Sequence, residues 1–184
     1  MNFLHRTFAI VAVLLAAHRA GAGEVHPLAT KAPASIELRD QYNSPQKLTF
    51  PATNITVLTI ADRKGSEQMA GWVAALKASY AGRIRLRGIA DVGGAPPFIH
   101  GKIRKKFQET RHYSVMMDWS GEVCEELSYQ KDVANILVLG RDGAILGRFS
   151  GPANGLKIAE ACALVDKALS DLSQVEPVGK STSP

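Results

Sequence analysis

The chain has 184 residues, of which 46% are hydrophobic and 21% are charged, with a formal net charge of +5 and two cysteines. This length suits one domain with a sizeable core and is too short for two ordinary domains. Two cysteines exclude a disulfide scaffold and a cysteine-rich zinc module, and the composition excludes a disordered polyion. No histidine lies three or four residues from another, so we predict no metal site and no cofactor.

The first 22 residues have the three features of a secretory signal peptide. Positive charge in Met1–Arg6 precedes the apolar run Phe8–Ala17, and Ala20-Gly21-Ala22 then gives a small-x-small cleavage pattern. The apolar run is too short to span a bilayer, and cleavage would remove it. We therefore expect no stable membrane span in the mature protein. We predict cleavage after Ala22 and a periplasmic or secreted protein. Removing the two arginines of this segment lowers the charge from +5 to +3, and a nucleic-acid partner is not expected.

The first half of the mature chain predicts a hairpin, a central strand and a helix. An extended leader over residues 23–35 precedes two alternating segments, residues 36–39 and 47–50, which are typical of a hairpin. Val57–Ala61 has the β-rich composition of a central strand. A helix then follows, with Ser66 as its N-cap. One apolar stripe at helical spacing supports this helix: Met69, Trp72, Val73, Leu76 and Tyr80.

The second half alternates strands and helices. A strand that ends at Ala90 is followed by a glycine- and proline-rich loop and by a basic helix over residues 98–108. A strand over residues 113–119 and a short acidic helix over residues 123–129 come next. Gly140-Arg141-Asp142-Gly143 joins strands 135–139 and 144–149 as a hairpin, and a last helix precedes a flexible tail, residues 174–184. This order predicts an α/β fold with a mainly parallel sheet that is covered on both faces.

The element order resembles the thioredoxin-like redoxins, in particular the exported thiol–disulfide oxidoreductases and the AhpC/TSA group. The resemblance rests on the opening hairpin, on the strand Val57–Ala61 that leads into a helix, and on the run Ile136–Gly143. It implies a three-layer α/β domain over residues 36–173. In that fold a central mixed β-sheet carries helices on both faces and an N-terminal β-hairpin.

The cysteine pair of that family is absent at the matching position. The family places C-x-x-C at the start of the helix after the first core strand, where the positive end of the helix favours a thiolate. Here Ser66-Glu67-Gln68-Met69 occupies this position, and neither serine nor methionine supplies an ionisable thiol. The peroxidatic cysteine of the peroxiredoxins would start the same helix. The family's cis-proline falls on Ala134, for which we expect a trans bond.

The two cysteines that remain are poor substitutes for a C-x-x-C pair. Cys124 is flanked by Glu122, Glu125 and Glu126, whose charges should raise the pKa of its thiol. Cys162 lies on the buried stripe of the last helix, where cysteine serves as a small apolar residue. The resemblance places the two on opposite faces of the sheet, too far apart for a disulfide. Cys124 is the catalytic candidate that the sequence leaves open.

Two groups of basic residues are candidates for ligand binding. Asp62 is followed by Arg63-Lys64-Gly65-Ser66, which could bind an anion at the helix start; the alternative is a solvated loop with Ser66 as a plain N-cap. The basic helix could meet an anionic membrane surface or an acidic partner, or be an ordinary solvated face. Its cations, together with those of a neighbouring strand, are Lys102, Arg104, Lys105, Lys106, Arg111, Arg83, Arg85 and Arg87.

Three hypotheses for function follow. The first is an exported thioredoxin-like domain that lacks the dithiol active site and acts as a binding or accessory module for a protein or a small anion. The second is a thiol-dependent antioxidant or oxidoreductase that uses Cys124. The third is a structural subunit of an envelope complex that contacts its partners through the basic helix.

Overall fold

The computed structural model describes residues 28–175 of the chain. The predicted signal peptide, the leader up to residue 27 and the tail from residue 176 lie outside the described residues.

Seven strands form one mixed sheet in the order β2-β1-β5-β4-β3-β6-β7. The strands are β1 (Ser35–Asp40), β2 (Pro45–Thr49), β3 (Thr56–Ala61), β4 (Arg85–Asp91), β5 (Val115–Asp118), β6 (Asn135–Leu139) and β7 (Ile145–Ser150). The predicted α/β architecture, with a mixed sheet and an N-terminal hairpin, is confirmed. The expectation of a mainly parallel sheet is wrong, because only β3–β4 and β4–β5 pair in parallel. The short connections β1–β2 and β6–β7 allow only antiparallel pairing.

In the described part of the chain, five α-helices connect or follow these strands. They are α1 (Arg63–Ser66), α2 (Met69–Tyr80), α3 (His100–Thr110), α4 (Glu122–Glu126) and α5 (Gly155–Val175), with a 3₁₀ turn at Pro97–Ile99 that leads into α3. The predicted single helix after β3 is therefore two helices. The helix α5 includes the first two residues of the predicted tail. Within residues 28–175, no helix combines the length and apolar character that a membrane crossing requires.

The hydrophobic core lies on both faces of the sheet, because neighbouring residues of each central strand point to opposite sides. Val57 belongs to the core under α2 and α5, whereas the next residue, Leu58, belongs to the core around α4. The helix α3 packs through Ile103 and Phe107 onto the ends of β4 and β5. The predicted placement of Cys124 and the last helix on opposite faces is confirmed.

The helix α2 is held in place by Trp72, whose side chain is fully buried. Its Nε1–H donates a 2.9 Å hydrogen bond to the carbonyl oxygen of Gly151, so the ring fixes α2 against the segment before α5. Gly71 lies at the same contact, where an added Cβ would be 3.0 Å from the Cβ of Ala153. This close approach accounts for a glycine inside a helix.

The described part of the leader runs beside the start of β7. The carbonyl of Thr30 accepts a hydrogen bond from the N–H of Ile145, and the N–H of Ala32 donates to the carbonyl of Gly143, both at 2.8 Å. Ala32 is buried against the α4 face of the sheet. The leader therefore contributes to the core from about residue 30, whereas the domain boundaries drawn from the sequence stay a prediction.

Candidate functional site

The first helix after β3 begins at Arg63, and its N-cap is Asp62. The Oδ1 atom of Asp62 accepts the N–H of Gly65 at 2.8 Å, which is the contact expected of an N-cap carboxylate. Ser66 is the last residue of α1, and its hydroxyl donates to the carbonyl of Arg63 at 2.7 Å. The predicted N-cap role of Ser66 is therefore wrong, because Asp62 caps the chain four residues earlier and α1 ends before α2 begins.

The four positions assigned to the missing cysteine pair, Ser66–Met69, span the junction between α1 and α2. The first helical turn after β3 is instead Arg63-Lys64-Gly65-Ser66. Neither of these two segments contains a cysteine. A helix-terminal thiolate therefore cannot form here, whichever segment is matched to the redox motif.

A close backbone approach fixes α1 against the segment that precedes β6. Gly65 is buried, and an added Cβ would lie 2.3 Å from the carbonyl oxygen of Val133, so no larger residue fits without a backbone shift. The second carboxylate oxygen of Asp62 accepts the N–H of Asp132 at 2.7 Å. One carboxylate therefore caps α1 and also binds the segment preceding β6. We call these contacts the Asp62 clamp.

Gln68 extends this clamp. Its Oε1 accepts the N–H of Ala134 at 3.2 Å, and its Nε2 donates to the carbonyl of Asp132 at 3.3 Å. Within residues 28–175 the one cis peptide bond precedes Pro51, so the bond that precedes Ala134 is trans, as expected. Gln68 takes part in the site through hydrogen bonds that the sequence pattern alone does not indicate.

A cleft of about 780 Å³ opens beside α1, at the carboxyl ends of β3 and β4. In open α/β sheets ligands bind at this end of the strands. One side of the cleft is formed by α1, and the other by α3 and the loop after β4. The apolar residues that line it are Ala61, Ala90, Val92, Ala95, Pro96, Ile99, Ile103 and Phe107.

The structure places two of the four predicted anion-binding residues in the cleft and two outside it. Arg63 and Ser66 line the cleft, whereas Lys64 and Gly65 do not. The ammonium group of Lys64 lies 3.2 Å from the carboxylate of Asp132, and the N–H of Gly65 is taken by Asp62. The backbone donor of Gly65 is thus already occupied by a carboxylate of the protein itself.

Two of the cleft's carboxylates are hydrogen-bonded within the protein. Asp62 belongs to the clamp described above. Asp91, at the end of β4, accepts the N–H of Gly93 at 2.9 Å through Oδ1 and the phenol O–H of Tyr129 through Oδ2. Burial is the main cause that raises the pKa of Tyr129 above its usual range, and the hydrogen bond to Asp91 adds to it. The phenol therefore stays protonated and remains a donor to Asp91.

Three cations line the cleft: Arg63, Lys106 and Arg111. The two ion pairs found within residues 28–175, Lys47–Glu37 and Lys64–Asp132, include none of them. Glu67 is the other acidic residue of the lining, and no hydrogen bond or ion pair of its carboxylate occurs in the described part of the chain. The lining thus carries three cations and three carboxylates. Two of these carboxylates, Asp62 and Asp91, accept hydrogen bonds from the protein, whereas the three cations have no ion-pair partner among the described residues. No three His, Cys, Asp or Glu side chains in this range are arranged to hold a metal ion.

The loop after β4 is held over the cleft by an aromatic stack. The His100 ring stacks on Trp119 with 3.8 Å between ring centroids, and its Nε2 lies 2.8 Å from the carbonyl oxygen of Ala95. The guanidinium of Arg104 lies 5.3 Å from the centroid of the Trp119 ring, a cation–π distance. These contacts fix the position of the loop, and the wall of the cleft that it forms is pre-organised.

Cys124 is fully buried on the opposite face of the sheet from α5. Burial raises the pKa of its thiol, and the carboxylates of Asp118 and Asp91 raise it further. The predicted upward shift is confirmed, but its cause differs: burial and these two aspartates are responsible, and the neighbouring glutamates are not. Cys162 is half-buried on α5, and both cysteines are free thiols.

Comparisons with known proteins identify the architecture. No family model matches the sequence, and no curated protein matches it. Among solved structures, a thiol:disulfide interchange protein of the thioredoxin family from Chlorobium tepidum is 16% identical, with a TM-score of 0.54 over 76% of this chain and 96% of that one. The chain has a thioredoxin-like fold.

Two further structures share this fold. The pneumococcal exposed lipoprotein thioredoxin from Streptococcus pneumoniae is 15% identical, with a TM-score of 0.56 over 72% of this chain and 99% of that one. Peroxidoxin BcpB from Mycobacterium tuberculosis is 20% identical, with a TM-score of 0.51 over 82% and 99% of the two chains. Identities this low establish the thioredoxin-like fold and leave the activity to be argued from the site itself.

The raised pKa of Cys124 predicts a pH-dependent loss of stability. Above the unfolded thiol pKa of about 8.5, the unfolded chain releases a proton that the folded protein keeps, so stability falls as pH rises. We expect the unfolding free energy of Cys124→Ala to fall less steeply than that of wild type between pH 8.5 and 10, by about 1 kcal/mol per pH unit. Urea titrations of both proteins at each pH measure this difference. Equal slopes of unfolding free energy against pH would contradict it.

Proposed function

We propose that this protein is an exported binding module with a thioredoxin-like fold, and that it holds an anionic ligand in the cleft beside α1 without dithiol chemistry. Export rests on the signal-peptide features of residues 1–22. The similarity in fold to an exposed lipoprotein thioredoxin supports it. The observation that carries the proposal is an open cleft lined by three cations that have no ion-pair partner among the described residues. The cleft lies where the first helix after β3 begins, and that helix contains no cysteine.

The chemistry of the site argues against thiol–disulfide exchange. Exchange requires a thiolate that its partner can reach. Cys124 is fully buried, and burial raises the pKa of its thiol, so it has neither the charge nor the access. Cys162 is half-buried on α5, and it is not among the residues that line the cleft.

Three cations of the cleft are available to bind an anion. Arg63 and Lys106 are exposed cations and Arg111 is half-buried. None of the three is engaged in an ion pair within the described residues. Arginine and lysine side chains bind carboxylates and phosphates through charge-assisted hydrogen bonds. Asp62 and Asp91 also line the cleft, and their carboxylates accept hydrogen bonds from backbone N–H groups and from the phenol of Tyr129 rather than pairing with these cations.

The absence of thiol catalysis can be tested with purified protein. We expect insulin reduction by dithiothreitol to proceed at the rate of the reagents alone when wild type or Cys124→Ser is added. Consumption of hydrogen peroxide in the presence of dithiothreitol should likewise not be accelerated by either protein. Thiol titration should leave Cys124 unreacted until the protein is unfolded. Turnover above background that is lost in Cys124→Ser would overturn the proposal in favour of an oxidoreductase.

Anion binding can be tested by thermal denaturation in sodium sulfate, against sodium chloride of equal ionic strength. A ligand at ten times its Kd adds about 1.4 kcal/mol of stability, or roughly 3–6 °C in Tm for a domain of this size. We expect this gain in wild type and its loss in Arg63→Ala.

Lys64→Ala is the matched control for this experiment, because Lys64 neighbours Arg63 but faces Asp132 and does not line the cleft. It should keep the wild-type gain in sulfate. Equal gains in all three proteins would mean that sulfate acts on the whole surface, and would refute binding at the cleft.

A further inference from the structure

We propose that the ligand of the cleft is an amphipathic organic anion: an elongated apolar body with one terminal carboxylate, sulfate or phosphate group. This inference rests on the proposed function and adds the chemical class of the ligand. It follows from three properties of the cleft: its apolar floor, the position of its cations and its size.

The floor of the cleft is apolar. Ala61 and Ala90 form it at the ends of the two central parallel strands, and both side chains are buried. Ile103 and Phe107 of α3 form the wall and remain partly exposed. A small inorganic ion would leave this apolar surface in contact with water, whereas an alkyl or aromatic group would cover it and gain from its burial.

The cations lie on the two elements that border this floor. Arg63 is on α1, Lys106 is on α3, and Arg111 follows α3. All three line the same cleft as the apolar residues. A ligand that places its apolar body on the floor therefore has cations on either side to bind a terminal anionic group. Sites for small molecules commonly combine a mainly apolar lining with a few such polar groups.

The size and the rigidity of the cleft suit a small molecule. A volume of about 780 Å³ lies within the range of pockets that hold drug-sized ligands, roughly 300–1,000 Å³. The contacts of His100 with Trp119 and Ala95 already hold the loop wall in place. Binding therefore costs little ordering of the protein.

The experiment measures, by isothermal titration calorimetry, how affinity depends on the length of the probe's alkyl chain. The protein used begins at Gly23. The probes are butanoate, hexanoate and octanoate below their micelle concentrations, with 1-octanol as the uncharged probe of equal length. Complete burial of a methylene group is equivalent to about a fourfold gain in affinity. We expect the affinity to rise two- to fourfold per methylene and 1-octanol to bind at least tenfold more weakly than octanoate.

Two pairs of variants locate the effect in the cleft. Lys106→Ala should weaken octanoate binding about fivefold or more, since it removes a charge-assisted contact. Its neighbour Lys105, which is exposed and does not line the cleft, should tolerate Lys105→Ala with less than a twofold change. Ile99→Ser should reduce the dependence of affinity on alkyl chain length. Leu156→Ser, which changes a remote exposed leucine, should leave it intact.

Four other outcomes would each contradict a part of the proposals. If sulfate binds as proposed but the affinity of the alkanoates is independent of length, the amphipathic ligand is refuted while the anion-binding module stands. If 1-octanol binds as tightly as octanoate, the role of the cations is refuted. If neither sulfate nor any alkanoate binds, both proposals fail. If Lys105→Ala weakens binding as much as Lys106→Ala, the ligand lies on the outer face of α3 and the cleft is not its site.

Discussion

The Asp62 carboxylate is the interaction on which the arrangement of the site depends. One of its oxygens caps α1 and the other binds the backbone of Asp132, so a single side chain joins the end of β3 to the segment before β6. The close contact of Gly65 with the Val133 carbonyl leaves no room between the two segments. Gln68 adds two hydrogen bonds to the same segment. These contacts with the segment before β6 fix the position of α1.

This constraint also determines where the cleft opens. With α1 held toward β6, the space on its other side lies between α1 and α3, at the ends of β3 and β4. A dithiol site would use the helix start to stabilise a thiolate, but here the N–H of Gly65 is satisfied by Asp62. The charges of the site come instead from side chains. The cations are Arg63, Lys106 and Arg111, and the carboxylates are those of Asp62, Glu67 and Asp91. The end of β3 therefore leads into a capped helical turn without a cysteine, beside an open cleft.

The sequence predicted the fold well because its signals are local. The alternating strands, the Asp142-Gly143 turn and the apolar stripe of α2 each indicate their own element, and the element order indicates the sheet. The sequence was less informative where a contact joins distant segments. Asp62 looked like a loop residue, because its role depends on Asp132, 70 positions away. Ser66 looked like an N-cap, because serine before an apolar stripe is typical of one.

The residues of the cleft illustrate the same limit. Lys106 and Arg111 were visible as part of a basic helix, but only the packing of α3 places them opposite Arg63. The upward shift in the pKa of Cys124 was predicted from its glutamate neighbours, whereas burial and two aspartates from other elements cause it. The apolar stripe of α2 gives no reason for Gly71, which the close contact with Ala153 explains. In each case the deciding neighbour lies outside the residue's own helix.

The cleft beside α1 is the binding surface that we propose for this protein. The most direct test is an amide ¹⁵N–¹H correlation spectrum recorded during titration with hexanoate. We predict that the largest shift changes fall on residues of the cleft, with Val92, Ile103 and Arg111 prominent among them, and that the amides around Cys124 stay unchanged. Shift changes centred on Cys124, or scattered over the surface, would contradict the account.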